Sequence, residues 1–246
     1  MNASMLKSIA FSILTLLLAG CETVDSQDVD TGDVIAGINA YRVTTISDTA
    51  TTSRVEVVAI LREDAGGRPY IDLSGGDTLE LIVDSNTVTF SKDDDTFNSI
   101  RYLAEWDKNL TVPSILTVRF TRGSGETHDS TITIGAPVDT VEPTPGFSWR
   151  PNAEDLVVSW EAADPSVTTA LVTTACTEQE VRENLANRTF TITAGTLVRD
   201  DASRDQCIGH VELVQDLLEG TTATELSNES SITLDQATRL SVEAQF

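Results

Sequence analysis

The chain has 246 residues, of which 40% are hydrophobic and only 5% aromatic, and it carries a formal net charge of −23. So acidic a surface repels nucleic-acid phosphates, which are held by clustered lysine and arginine, and it disfavours lying flat on anionic lipid. Nucleic-acid binding is thereby excluded, and the length allows one large domain or two of ordinary size.

At the N-terminus, Lys7 precedes an apolar run from Ser8 to Leu18. This run is shorter than the roughly 20 residues a permanent bilayer span needs, and it matches the apolar core of a cleavable export signal. Leu18-Ala19-Gly20-Cys21 follows and resembles the lipobox of bacterial lipoproteins. That resemblance implies cleavage of residues 1–20, a diacylglyceryl group on the thiol of Cys21, and a membrane-anchored protein of the bacterial envelope. By similarity with enterobacterial sorting, Glu22 after the cysteine points to the outer membrane. Loss of Lys7 with the signal takes the net charge to −24.

Three cysteines occur in the chain, so lipid on Cys21 leaves Cys176 and Cys207 as a candidate disulfide in an oxidising compartment. Residues 21–36 are polar, contain five acids and no base, and read as a flexible tether. Asp25, Asp28, Asp30 and Asp33 lack the regular spacing of a calcium loop.

Residues 37–135 are expected to form a β-sandwich. Between Arg54 and Arg62, Val55, Val57, Ala59 and Leu61 alternate onto one face, as a half-buried strand requires. Further strands are expected at Tyr70–Leu73, Thr78–Val83, Thr87–Phe90, Asn98–Trp106, Ile115–Phe120 and Thr131–Ile134. Glycine-rich turns separate them, a pattern of short strands typical of an immunoglobulin-like sandwich.

Residues 136–146 hold three of the seven prolines and read as a linker. A second sandwich is expected over 147–246, with strands at Leu156–Trp160, Val167–Thr174, Thr189–Thr193, Ile208–Val214, Ser231–Leu234 and Arg239–Phe246. One short helix is expected at Glu178–Ala186, where Thr177 and Glu180 fit a capping box and Val181 and Leu185 an apolar stripe. The fold class is therefore all-β, as two immunoglobulin-like β-sandwich domains with one short helix in the second.

Chemistry is thinly represented. His128 falls in an expected hairpin turn and His210 on an expected strand surface, and neither has a second histidine at metal-ligand spacing. No nucleophile elbow, phosphate cradle or cofactor signature is present. Asp93, Asp94 and Asp95 with Asn98 form the one oxygen-rich cluster of the first domain, a weak calcium candidate. Trp106 and Trp149 are candidate platforms for a sugar, and Trp160 reads as core. These features favour a non-enzymatic envelope lipoprotein with a structural or protein-binding role. A glycan- or calcium-binding module, or a hydrolase built from two carboxylates, are the alternatives.

Overall fold

The computed structural model describes residues 23–246 except 65–67, 95–98, 108–113, 163–165, 178–180, 186, 201–204 and 216–217. The expected signal segment and the lipobox-like residues, with Cys21, lie outside the described residues, as do Asp95 and Asn98 of the calcium candidate.

The regular secondary structure of the described residues is almost entirely strand. In order these are β1 Thr23–Asp25, β2 Val34–Ile46, β3 Thr51–Glu63, β4 Tyr70–Asp72, β5 Thr78–Val83, β6 Asn86–Thr89 and β7 Ser91–Asp94. Next come β8 Ile100–Trp106, β9 Ser114–Thr121, β10 Thr127–Ile134, β11 Thr140–Glu142, β12 Phe147–Trp149 and β13 Leu156–Trp160. The last six are β14 Val167–Thr174, β15 Val181–Asn184, β16 Thr189–Ile192, β17 Gln206–Gln215, β18 Leu218–Glu219 and β19 Ser231–Gln245. The only helical segments among the described residues are 3₁₀ turns at Ser26–Asp28 and Thr31–Asp33.

Among the described residues two large hydrophobic cores form, with a small cluster around Cys176, Cys207 and Ala244 beside the second. In the first, inward residues of β2, β3 and β8 pack against those of β5, β9 and β10, with Val55, Val57, Ala59 and Leu61 buried on the expected face. In the second, β14, β17 and the end of β19 pack against β13 and β16 around fully buried Trp149. Each is a sheet-on-sheet sandwich in which alternate side chains of both inner faces fill the space between the layers.

The two sandwiches are not separate domains in series. A single twelve-stranded sheet carries one layer of each, running β1-β4-β3-β2-β19-β17-β14-β15. Strand β19 joins them. One of its edges pairs in parallel with β2 and then β12, and the other pairs antiparallel with β18 and then β17. Its first half contributes Ile232 and Leu234 to the first core, and its second half contributes Leu240 and Val242 to the second. The expected pair of strands at Ser231–Leu234 and Arg239–Phe246 is thus one strand of fifteen residues.

Three further expectations are corrected. The segment 23–36 is no flexible tether, since Thr23–Asp25 pairs in parallel with Tyr70–Asp72 and Val29 is buried in the first core. Ser26 is buried as well, and its hydroxyl accepts a hydrogen bond from the Ser74 amide at 2.9 Å. The segment 136–146 belongs to the second sandwich, because Thr140–Glu142 pairs with β13 and Val138 is buried in its core. Finally, Val181–Asn184 is a strand paired antiparallel with β14, where a helix was expected. A capping box and one apolar pair supply only local preference, and an open sheet edge beside β14 offers backbone hydrogen bonds that override it.

Between the cores lies a buried polar layer. Arg42 and Thr44 of β2, Ser53 of β3, Gln215 of β17, and Gln236 and Thr238 of β19 all point inward and are buried. They hold down the crossover from the first sandwich to the second. Arg42 Nη1 donates to the Gly135 carbonyl at 2.5 Å, Gln236 Nε2 donates to the Ala136 carbonyl at 2.9 Å, and the Val138 amide donates to Thr238 Oγ1 at 2.8 Å. Three side chains thereby fix a segment whose prolines alone read as a spacer.

Arg42 is only 1% exposed, and burial pulls its pKa down to about 10. No carboxylate among the described residues pairs with it, and its Nε has no hydrogen-bond partner. A desolvated charge without a counter-ion costs stability, and a pKa displaced by one unit corresponds to about 1.4 kcal/mol. Arg42→Met, which keeps the volume and discards the charge, is therefore expected to stabilise the fold by about 1–2 kcal/mol after the lost hydrogen bond to Gly135 is subtracted. Urea unfolding at neutral pH measures this, and a lower midpoint would mean that the guanidinium's hydrogen bond outweighs its burial.

Candidate binding face

The outward face of the shared sheet is the most elaborated surface. Pairing sets its side chains in rows across the strands. One row runs Glu105, Glu56, Tyr41, Asp235 through β8, β3, β2 and β19. Another runs Thr52, Thr45, Arg239, Glu212 through β3, β2, β19 and β17. Between them, Arg54 stands opposite Val43. Some of these residues line a cleft of about 350 Å³ whose walls include Tyr41, Thr45, Arg54, Glu56, Asp107 and Arg239.

Cross-strand neighbours on one face interact directly, and like charges placed opposite one another repel. Glu105 and Glu56 are such a pair, and Arg54 answers both. Its guanidinium lies 2.6 Å from Glu105 and 3.6 Å from Glu56, and its Nε is 3.6 Å from Asp107. The hydrogen bond that Arg54 donates to Glu105, and the charge of that carboxylate, hold the Arg54 pKa above the ordinary value. Across the cleft, Nε and Nη2 of Arg239 both donate to Glu212 Oε2, at 2.9 and 2.5 Å. Partial burial, followed by the charge of Glu212, raises the Tyr41 pKa above its ordinary value. The cleft therefore offers one aromatic ring, 42% exposed, and two arginines already oriented by carboxylates.

The residues singled out in the sequence fare unevenly. Cys176 and Cys207 form a disulfide with Cα atoms 5.9 Å apart, beside Ala244 and Phe246 at the far end of the second sandwich. Asp93 and Asp94 lie on β7, where Asp93 accepts a hydrogen bond from Arg101 at 2.9 Å. Among the described residues no group of three His, Cys, Asp or Glu side chains is placed to hold a metal. Trp106 and Trp149 are buried, at 6% and 0% exposure, and cannot serve as sugar platforms; Trp160 is core, as expected.

His128 is also buried, rather than solvated in a turn. It sits on β10 beside Phe120, with its ring nitrogens 3.7–3.8 Å from the Glu225 and Glu126 carboxylates. His210 lies on β17 on the outward face as expected, but it is half-buried. Burial, with Arg239 next, lowers its pKa, so it is neutral at neutral pH.

Tyr41, Arg54 and Arg239 form the cleft and went unmarked in the sequence. Strand alternation places each on an outward position, but their convergence depends on the pairing of β2 with β19, almost two hundred residues apart.

No protein-family model matches the chain, and no curated protein matches it. Several solved structures resemble it. The mouse nectin-like molecule 4 ectodomain (Ig1–Ig3) shares 11% identity at a TM-score of 0.26, with 88% of this chain and 66% of that one covered. The chain thus spans just under two thirds of that ectodomain's length. The Ig1-2 module of Drosophila receptor protein tyrosine phosphatase DLAR shares 9% identity at a TM-score of 0.27, covering 82% of this chain and 98% of that one. A Bacteroides ovatus mixed-linkage glucan utilization protein, SGBP-B, solved with a heptasaccharide, shares 10% identity at a TM-score of 0.22 and covers 88% and 65%. These are likenesses of β architecture, and none of those proteins' activities is carried over to this chain.

Proposed function

We propose that the chain is a non-enzymatic lipoprotein of the bacterial envelope, anchored through lipid on Cys21 in the outer membrane, and that it binds a protein partner through the outward face of its shared sheet. The observation that carries the binding role is the cleft in which Tyr41, Arg54 and Arg239 converge. Tyrosine and arginine dominate the binding energy of protein interfaces, because they cover much area at little entropic cost and donate several directed hydrogen bonds. Here Glu105 and Glu212 orient the two guanidiniums before a partner arrives, which lowers the cost of binding. The shared strand supports the same reading, since it gives the face a stiff backing.

Crosslinking and pulldown from intact envelopes test the role. A partner recovered with the native chain is expected to fall by about tenfold or more for Tyr41→Ala combined with Arg54→Ala, with the fold destabilised by no more than the about 1 kcal/mol that a surface ion pair is worth. Recovery of the same partner by both proteins would place binding elsewhere, and a glycan array that responded at Tyr41 would replace the protein partner with a sugar.

A further inference from the structure

Strand β1 begins at Thr23, two residues after Cys21. Two residues of extended chain reach at most about 7 Å, so a lipid on Cys21 leaves the fold close to wherever β1 is fixed. Where β1 lies is set by pairing. It runs beside Tyr70–Asp72, which adjoins Arg62 at the end of β3. That end of β3 pairs with Val34, the start of β2, and is the end of the first sandwich remote from the second.

Several turns close the same pole. Ser26 and Gln27 meet Ser74, the Arg122 guanidinium donates to the Val29 carbonyl at 3.0 Å, and the Gly123 amide donates to Asp77 at 2.7 Å. Turns 74–77 and 122–126 come together so tightly that a Cβ on Gly123 would lie 2.2 Å from the Gly75 carbonyl oxygen. The N-terminal segment is therefore built into this pole and does not hang from it.

The long axis is set by β2 and β19. They run in parallel with Gly37 opposite Ser231, and β19 continues to Gln245 opposite Gln206. From Val34 to Gln245 the pair spans about 55 Å at 3.2–3.4 Å per residue. The disulfide and the turn containing Asn152 lie at the opposite pole, since Trp149 pairs with Ala244.

We propose that the pole formed by Thr23–Asp33, Ser74–Asp77 and Arg122–Glu126 faces the lipid surface, with the protein standing on its long axis and the disulfide-stapled tip of the second sandwich as its membrane-distal end. This rests on lipidation of Cys21 as proposed above. The anchor sets the upright posture, since it holds only this pole to the membrane although the pole itself carries Asp25, Asp28, Asp30 and Asp33, and a mature chain of net charge −24 gains nothing by laying its flanks there as well. The binding face, on the outward side of the shared sheet, then stands clear of the bilayer and is approached from the side.

Energy transfer measures the posture. The full lipidated protein, with a single added thiol at Ser124→Cys or Asn152→Cys carrying a donor, is reconstituted in phosphatidylcholine vesicles bearing a trace of acceptor lipid. Ser124 and Asn152 are both exposed, and the native cysteines are lipidated or bridged. Transfer from Ser124→Cys is expected to exceed that from Asn152→Cys several-fold. Inserting twenty Gly/Ser residues between Glu22 and Thr23 is expected to reduce the transfer from Ser124→Cys. Equal or reversed transfer at the two sites, or no response to the insertion, overturns the orientation. A mature N-terminal peptide whose mass lacks the diacylglyceryl group overturns lipidation and orientation together, whereas an acylated peptide with equal transfer overturns the orientation alone.

Discussion

Residues 37–135, expressed alone, are expected not to fold. The fragment keeps most of the first sandwich but loses Val34, Leu226, Ile232 and Leu234, all buried in that core. Burial of such side chains contributes about 1.5–3 kcal/mol each, so their loss removes on the order of 6–12 kcal/mol. A typical domain has a net stability of about 5–15 kcal/mol, so the deficit is comparable to the whole. The loss also uncovers the edge of β2 that β19 pairs along ten residues, Gly37 to Ile46. An unpaired apolar edge of that length invites association with other chains. Poor dispersion in an amide NMR spectrum, with aggregation at micromolar concentration, is the expected result. A dispersed, monomeric spectrum would show that the first sandwich is independent after all. By the same reasoning the intact chain should unfold in one transition, since neither core is complete without β19.

Opening the disulfide, by reduction or by Cys176→Ser with Cys207→Ser, is expected to destabilise the intact protein by about 3.5–4 kcal/mol through the restored entropy of the open loop. The bridge closes a sequence separation of 31 residues. Its position decides where the effect is felt. Cys207 is the second residue of β17, opposite Ala244, and Cys176 lies just beyond the end of β14, so the bridge ties two strands of the shared sheet at the tip of the second sandwich. At about 2–4 °C per kcal/mol for a chain of this size, the melting temperature should fall by about 7–16 °C. Hydrogen exchange should lose protection first at Gln206–Gly209 and Thr173–Thr174, while β5, β9 and β10 keep theirs. Uniform loss of protection would mean that the bridge supports both cores equally.

How much of this was legible beforehand depends on the kind of feature. The inward faces of Arg54–Arg62 and of Leu240–Val242–Ala244 follow from alternation alone, because a strand puts successive side chains on opposite faces wherever it lies. The helix expected over Glu178–Ala186 failed for the converse reason. The segment had a local signal for helix, while its strand partner Thr169–Val172 lies some ten residues upstream and leaves no mark on the segment itself. Burial of His128, Trp106 and Trp149 likewise followed from neighbours far along the chain.

The polar layer is the most instructive case. In β19 the inward positions Gln236 and Thr238 interrupt the apolar alternation, so the strand read as two. In β2, Arg42 and Thr44 do the same. Those polar residues mark where one core ends and the next begins, and the backbone runs through without a break. Sequence by itself determined the acidity, the β class and the pairs of cysteines among which the bridge had to fall, because each depends on residue identity or on spacing within one strand. Tertiary structure alone decided that two cores share one sheet, that Thr23–Asp33 is folded against the first sandwich, and that Tyr41, Arg54 and Arg239 meet. Each of these follows from strand pairing across long separations, where register is set by what the partner strand buries.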